Sequence, residues 1–256
     1  MIDRALLTTA IDGFSVDTAA YRRLTGDAIG ANGITLEGPA DRVEVFVRDG
    51  LRDLALTIAV PERGRARVFL GNDLAGTLRL ALRGDRATVY IGDNGRFAGL
   101  ELRCRQADDL IAIGNDVAVT GPSTWVSGLE AAPGCPSLVI GDCCLIASGV
   151  TLRNSDGHPV MDRDTGAIVN VPGSGILIEP HAWLGERSAV LKDVTVGAFA
   201  RIAFGSVVTR DVPRYAVAQG IPAKSEVRAD RYWAWDASET GRARAEHFLA
   251  RFPARD

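Results

Sequence analysis

Only three histidines occur among the 256 residues, and their settings separate chemistry from packing. His158 stands in the run Ser155-Asp156-Gly157-His158-Pro159, with Asp162 and Asp164 close behind. An imidazole with an ordinary pKa of about 6.5 can take a proton from a hydroxyl at neutral pH. Its usual companion is a carboxylate that holds the tautomer and stabilises the imidazolium, and Asp156 and Asp142 are both candidates for that part. His247 falls in a stretch with helical patterning and reads as a structural or solvated residue, whereas His181 is evenly balanced between such a role and a functional one. The four cysteines, Cys104, Cys135, Cys143 and Cys144, form no Cys-x-x-Cys pair and have no histidine at ligand spacing. No metal site is therefore expected, and the thiols are expected to be free and reduced.

The element that must position these groups is a run of six gapless hexapeptides from 178 to 213: IEPHAW, LGERSA, VLKDVT, VGAFAR, IAFGSV and VTRDVP. Each first position is aliphatic (Ile178, Leu184, Val190, Val196, Ile202, Val208), and each fifth is small or β-branched (Ala182, Ser188, Val194, Ala200, Ser206, Val212). Neither a helix nor a period-two sheet produces a strict six-residue repeat, so the stretch predicts a solenoid of short parallel strands, three to a coil of about 18 residues. Ile178 is then expected over Val196, Leu184 over Ile202 and Val190 over Val208. Each buried aliphatic stabilises by about 1.5–3 kcal/mol, and a coil can bury its face only against the next coil. A second block in the same style, IGDCCL, IASGVT and Leu152, starts at Ile140 and places Cys144 inward and Cys143 outward, the latter not as a nucleophile.

A weaker repeat lies upstream: VFLGND at 68, VYIGDN at 89, IAIGND at 111 and LVIGDC at 138, with separations of 21, 22 and 27. It predicts that the solenoid begins early and that 40–135 is its irregular continuation; a separate β-sandwich is the competing expectation. Between the two hexapeptide blocks, residues 153–177 form an excursion without secondary-structure patterning, and a loop of that length in a compact array is usually functional. Residues 15–25 predict a short helix capped by Ser15 or Asp17. Residues 238–251, after Tyr232, Trp233 and Trp235, predict an amphipathic helix that caps the open end or packs on a neighbouring subunit. The chain accordingly divides into an N-terminal segment (1–39), a β-rich region of early coils (40–135), the hexapeptide array (136–225) with its loop 153–177, and a C-terminal capping helix (226–256).

The net charge of −3 and a pI near 5.7 argue against a nucleic acid or an anionic membrane surface as partner. The opening stretch MIDRALLTTAIDGF carries acids and lacks an apolar core region, and no apolar run approaches the length of a membrane span, so a cytoplasmic location is expected.

These hexapeptides, together with the tail 206–224 that ends in Gly220-Ile221-Pro222-Ala223-Lys224, resemble the hexapeptide-repeat acyltransferases. The resemblance covers about 138–228. It implies an all-β chain, a left-handed parallel β-helix with an irregular β-rich N-terminal part and a C-terminal helix. Gly141, Gly185 and Gly197 follow the family pattern at the second position, while Glu179, Leu191 and Thr209 depart from it. The excursion resembles the branch that O-acetylates polysaccharides and sialic-acid-containing glycans, matching Ser155, Asp156, His158 and Pro159, then Asp162, Thr165 and Gly166, then Trp183. That implies transfer of acetyl from acetyl-CoA to a glycan hydroxyl, with His158 as general base and no covalent acyl-enzyme. Trp183 would either donate its indole N–H to the oxyanion or pack against the acceptor. The resemblance further implies that coenzyme A contacts Gly185, Ala203 and Gly205, that its phosphates meet Lys224 with Arg210 or Arg228, and that the molecule is a homotrimer with the site between subunits. Acetylation of a nucleotide amino sugar or serine, and a non-catalytic scaffold, are the competing functions; a zinc hydratase on the same helix would need a third histidine at suitable spacing from His158 and His181, and there is none. Residues 1–135 lie outside the resemblance and are expected to serve acceptor binding or subunit contacts.

Overall fold

A computed structural model describes residues 4–49, 51, 53–128 and 137–254. Strands Val43–Val47, Ala66–Leu70, Thr88–Ile91, Leu110–Ile113, Ser137–Ile140, Ile176–Ile178 and Thr195–Val196 stack in parallel as the first face of a coiled array. The weaker repeat is in register along this face: Val68 pairs with Val89, Val89 with Ile111, and Ile111 with Leu138. Those four motifs are therefore the same strand of successive coils, and the described residues form no separate sandwich. Further along, Leu145–Ile146, Trp183–Leu184, Arg201–Ile202 and Ala216–Gly220 form a second face, and Ser123–Ser127, Thr151–Asn154, Ala189–Leu191 and Val207–Val208 a third. The expected ladders are present, with Ile178 paired to Val196, Leu184 to Ile202 and Val190 to Val208.

The period of six has a backbone cause. The fourth position of successive hexapeptides is left-handed, with φ of 57° at His181, 57° at Arg187, 59° at Asp193, 60° at Phe199 and 66° at Gly205. One such residue per unit turns the chain through a corner and returns the next first position to the core. A left-handed side chain costs roughly 1–2 kcal/mol, which burial of the aliphatic in the same unit offsets. Coils also approach closely: a Cβ on Gly185 would stand 2.6 Å from the Ile202 carbonyl oxygen, so only glycine fits there. Upstream, the long strands Asp53–Ala59, Ala75–Leu82 and Arg96–Cys104 replace the short ones. The first part of Arg96–Cys104 pairs with Ala118–Val119 and the rest with Ser123–Ser127, so one strand bends through Gly99 (φ 90°) across two faces. Coils built this way need more residues and erase the six-residue signal.

A single core runs through the coils from Leu24 to Ala218. The helix α1 (Arg4–Ala10) lays Leu7, Ala10 and Ile11 against Phe69, Tyr90 and Val139 on the outer side of the first face. The helix expected over 15–25 is one short turn, Thr18–Ala20, with Asp17 as its cap (Ala19 N to Asp17 Oδ1, 3.0 Å). The chain then extends as Arg22–Leu24, antiparallel to Val43–Val47, because pairing satisfies the open edge of the first face and carries Tyr21 to 5.3 Å from Phe69. A further short helix, α2 (Asp27–Ala31), precedes strand Ile34–Glu37. The C-terminal helix α3 (Glu239–Leu249) starts at Ser238, whose hydroxyl accepts from Gly241 N at 3.0 Å. It lies along the flank, over the corner column of Cys143, Phe199 and Tyr215, instead of over the open end. Cys143 thus leaves its coil outward yet is buried, and burial pushes its thiol up. Cys104 and Cys144 are buried as well, and Cys135 lies outside the described residues. No described helix is long and apolar enough to cross a membrane.

Candidate active site

With the N-terminal segment on the first face and α3 on one corner, the second and third faces keep their outer sides. The excursion leaves the third face after Thr151–Asn154 and rejoins the first at Ile176–Ile178. It is not structureless as expected but a hairpin: Met161 and Ile168 pair antiparallel, Val169 N donates to Val160 O at 2.8 Å and Asp162 N to Ala167 O at 2.7 Å. Asp162 Oδ1 accepts from Thr165 N and Thr165 Oγ1, each at 2.7 Å, and Gly166 takes a φ of 69°. The Asp-x-x-Thr-Gly motif is therefore the turn at the tip, and its residues shape the loop.

His158 stands exposed on the limb before that tip, and its backbone is pinned by a residue that no motif marks. Asn170 Nδ2 donates to His158 O and to Asp156 Oδ2, both at 2.9 Å, while its Oδ1 accepts from Val160 N at 2.7 Å. Lys192 Nζ bonds Asp156 Oδ2 and reaches Asn170 O at 3.1 Å. The Lys192 ammonium beside Asp156 holds that carboxyl below its ordinary range. Asp156 thus supports the backbone around His158 and makes no hydrogen bond to its ring. The other candidate companion is elsewhere: Asp142 is buried, with Oδ1 accepting from Asn115 N at 2.7 Å and Oδ2 from Asp12 N at 2.8 Å. It ties the N-terminal segment to the coils, and burial pushes its carboxyl up to about 7. Asp193 Oδ1 fixes the return limb by accepting from Gly173 N at 2.8 Å and Ser174 N at 2.7 Å. Asn170→Ala is expected to lower turnover by about tenfold to a hundredfold through misplacement of the limb, with the pH profile unchanged; an altered profile would show that Asn170 acts on the imidazole itself.

Trp183 projects from the second face, 40% exposed, with its ring 6.0 Å from Trp233. Among the described residues no contact joins it to His158, which stands on the excursion between the third and first faces while Trp183 stands on the second. Gly185, Ala203 and Gly205 do come together, at the corner beyond Trp183. Their N–H groups are spent on Ile202 O (2.8 Å), Ala218 O (2.9 Å) and Glu186 O (2.9 Å), so this corner offers a ligand its surface and not those donors. Ser206 Oγ accepts from Gly220 N at 3.1 Å, which holds the hairpin Ala216–Gly220/Ala223–Val227 beside the same corner. Lys224, opposite Gln219 in that hairpin, is exposed, as is Arg210 beyond strand Val207–Val208. Among the described residues nothing joins these two cations to each other, and Arg228 is paired with Glu226 at 2.7 Å.

His181 is settled as a packing residue. Its ring is fully buried, lies 4.4 Å from Trp233 in a stacked pair, and places Nε2 3.0 Å from Trp233 O, while Trp233 Nε1 donates back to His181 O at 2.8 Å. Nδ1 is buried without a partner among the described residues, so a second ring proton would have no acceptor. Burial, partly offset by the Trp233 carbonyl, brings the pKa down to about 4. The unfolded chain therefore binds this proton first, and the folded state loses stability as the pH falls from about 6.5 to 4. Asp109 and Asp142, both pushed up to about 7 by burial, have the opposite sign, so whole-protein curves mix the effects. The difference isolates it: the stability advantage of the parent over His181→Leu is expected to shrink by on the order of 2–3 kcal/mol between pH 7 and 4.5 in urea unfolding. A pH-independent difference would rule it out.

No family model matches the chain. A polysialic acid O-acetyltransferase from Escherichia coli O1:K1 / APEC is 33% identical over 127 residues, which cover 49% of this chain and 41% of that protein. A polysialic acid O-acetyltransferase from Neisseria meningitidis is 26% identical over 46% of this chain and 62% of its own length, and galactoside O-acetyltransferase from Escherichia coli K12 is 38% identical over 34% and 42%. The chain thus spans between two fifths and just under two thirds of these curated relatives. Among solved structures, the polysialic acid O-acetyltransferase OatWY superposes with a TM-score of 0.64 at 21% identity over 86% of this chain and 96% of its own. The polySia-specific acetyltransferase NeuO gives 0.52 at 24% identity over 82% and 98%. The chain resembles hexapeptide-repeat O-acetyltransferases in sequence and in fold. The likeness in fold extends over the upstream coils that the sequence motifs do not reach, and the likeness in sequence is confined to about half of the chain or less in these matches.

Proposed function

We propose that the protein is an acetyl-CoA-dependent O-acetyltransferase acting on a hydroxyl of a glycan or polysaccharide, built on a left-handed parallel β-helix. The observation that carries the proposal is His158: an exposed imidazole on a hairpin that breaks the array, held by its backbone through Asn170, Asp156 and Lys192. His158 takes the proton of the acceptor hydroxyl as the oxygen attacks the thioester carbonyl. The new C–O bond gives a tetrahedral oxyanion; its collapse breaks the C–S bond, and the imidazolium returns the proton to the leaving thiolate. The indole N–H of Trp183 is the donor available to the oxyanion, since those of the neighbouring corner are occupied within the coils. Asp156 is a positioning residue for the limb.

Coenzyme A is assigned to the corner of Gly185, Ala203 and Gly205, where small residues admit close approach, with Lys224 and Arg210 for its phosphates. Because the excursion with His158 joins the third face to the first and Trp183 stands on the second, the site is completed by a second copy of the chain, in keeping with a homotrimer. Val160, Met161 and Val169 on the hairpin, 52–61% exposed, are apolar surface suited to that contact. In this division of labour the hexapeptide array binds the donor, the loop 153–177 supplies the base, and the helix α3 with Phe252 braces the flank.

The test is thiol release from acetyl-CoA in the presence of a polysaccharide, a nucleotide amino sugar, or serine. Release with the polysaccharide alone is expected; release with serine or the nucleotide sugar alone would replace the acceptor class, and no release with any of them would leave a scaffold.

A further inference from the structure

On the outer side of the upstream coils lies a groove of about 800 Å³ whose walls carry Arg63, Arg79, Arg83, Arg103, Arg105 and Arg153 against only Glu62 and Glu101. The chain as a whole has a net charge of −3, so this basic surface is a local concentration and not a consequence of composition. Strand register builds it. Ala59, Ala81, Arg103, Val126 and Arg153 are successive partners across five coils. At about 4.8 Å per coil that row spans on the order of 19 Å. The small side chains Ala59, Ala81 and Val126 leave the depth, and the arginines rise beside them. Arg79 and Arg103 are held in place by Glu37 and Glu101, each at 2.6 Å. Arg63 and Arg83 are exposed and have no ion pair among the described residues.

The row ends at the candidate base. Arg153 Nε donates to Ser155 O at 3.1 Å, and its Nη2 lies 2.6 Å from where a Cβ on Gly157 would stand, one residue before His158. A ligand laid along the groove therefore arrives at the limb that carries the imidazole.

We propose that the upstream coils bind an anionic acceptor polymer, a glycan with a carboxylate on successive units, and lead it to His158. The inference rests on the glycan O-acetyltransferase reading and adds to it the charge and the path of the acceptor. Guanidinium groups match carboxylates in paired hydrogen bonds, and the two glutamates can accept from sugar hydroxyls between them. A single-stranded nucleic acid would be served by aromatic rings for base stacking, and none lines the groove.

The test is direct binding of the full chain to fluorescently labelled polysialic acid, measured without acetyl-CoA so that it does not depend on turnover. The expected result is binding that weakens with added salt and falls at least tenfold in the Arg63→Glu/Arg83→Glu double variant, with the Arg63→Gln/Arg83→Gln variant intermediate and the unfolding temperature unchanged. If the glutamate variant does not fold, the glutamine variant decides the matter. Equal binding by parent and variants, equal binding of dextran, or tighter binding of a single-stranded oligonucleotide would each overturn the proposal. Charge-dependent polymer binding without thiol release on any glycan would leave the groove assignment standing and remove the transferase.

Discussion

His158→Ala is expected to lower the rate of acetyl transfer by at least about a hundredfold, the range usual for removal of a general base, with the affinity for acetyl-CoA nearly unchanged. Both halves follow from where the ring sits. Its backbone is bound through Asn170, and the side chain is exposed, so the substitution removes an imidazole without loosening the hairpin. The residues assigned to coenzyme A occupy a corner between other faces and lose nothing. Thiol release at saturating acceptor gives the rate, and calorimetric titration with acetyl-CoA gives the affinity. Turnover within a few fold of the parent would remove His158 as the base, and a loss of acetyl-CoA binding would show that the hairpin is part of the donor site. Asn170→Ala is the companion measurement: it should slow the reaction while preserving the pH dependence that His158→Ala abolishes.

The array was legible because each of its constraints falls on a fixed position of a short unit. An inward aliphatic, a small inward fifth residue and a left-handed fourth residue recur every six positions, so Ile178, Val190 and Val196 could be placed on their ladders from spacing alone. The upstream coils obey the same stacking but let Arg96–Cys104 bend across two faces, and only their first-face strands keep a recognisable motif. The place of His158 on an exposed loop was legible from its motif. Its support was not: Asn170 lies 12 residues further on and Lys192 a further 22, brought back by a hairpin and a coil turn that no local pattern records. Asp142 stands beside Asp156 as a candidate companion in the sequence because a carboxylate at a corner looks the same whether it faces a base or accepts from the N–H groups of Asp12 and Asn115. His181 was ambiguous for a similar reason, since the Trp233 ring that buries it comes from 52 residues away.

Glu179, the residue that departs from glycine at the second hexapeptide position, is expected to be a main anchor of the C-terminal flank. Its carboxylate takes Arg214 in two bonds, Nε to Oε2 at 2.6 Å and Nη2 to Oε1 at 2.7 Å, and also accepts from Ala198 N at 2.9 Å. Both side chains are little exposed, at 13% and 12%. The Arg214 guanidinium lies 5.0 Å from the centre of the Phe252 ring, and Tyr215 donates to Phe252 O at 2.8 Å, so the pair connects two coils to the end of the chain. Glu179→Ala would leave a nearly buried guanidinium and a buried N–H without acceptors and is expected to destabilise by about 3 kcal/mol in urea unfolding. Glu179→Gln keeps an acceptor for Ala198 N and should lose less. Glu179→Leu combined with Arg214→Met removes both charges together and should recover much of the loss, because apolar side chains can replace a buried ion pair when no charge is left behind. If the alanine and double variants were equally unstable, the geometry of the paired charges would be what holds the flank, and if both matched the parent, the packing of Phe248 and Phe252 under α3 would suffice without them.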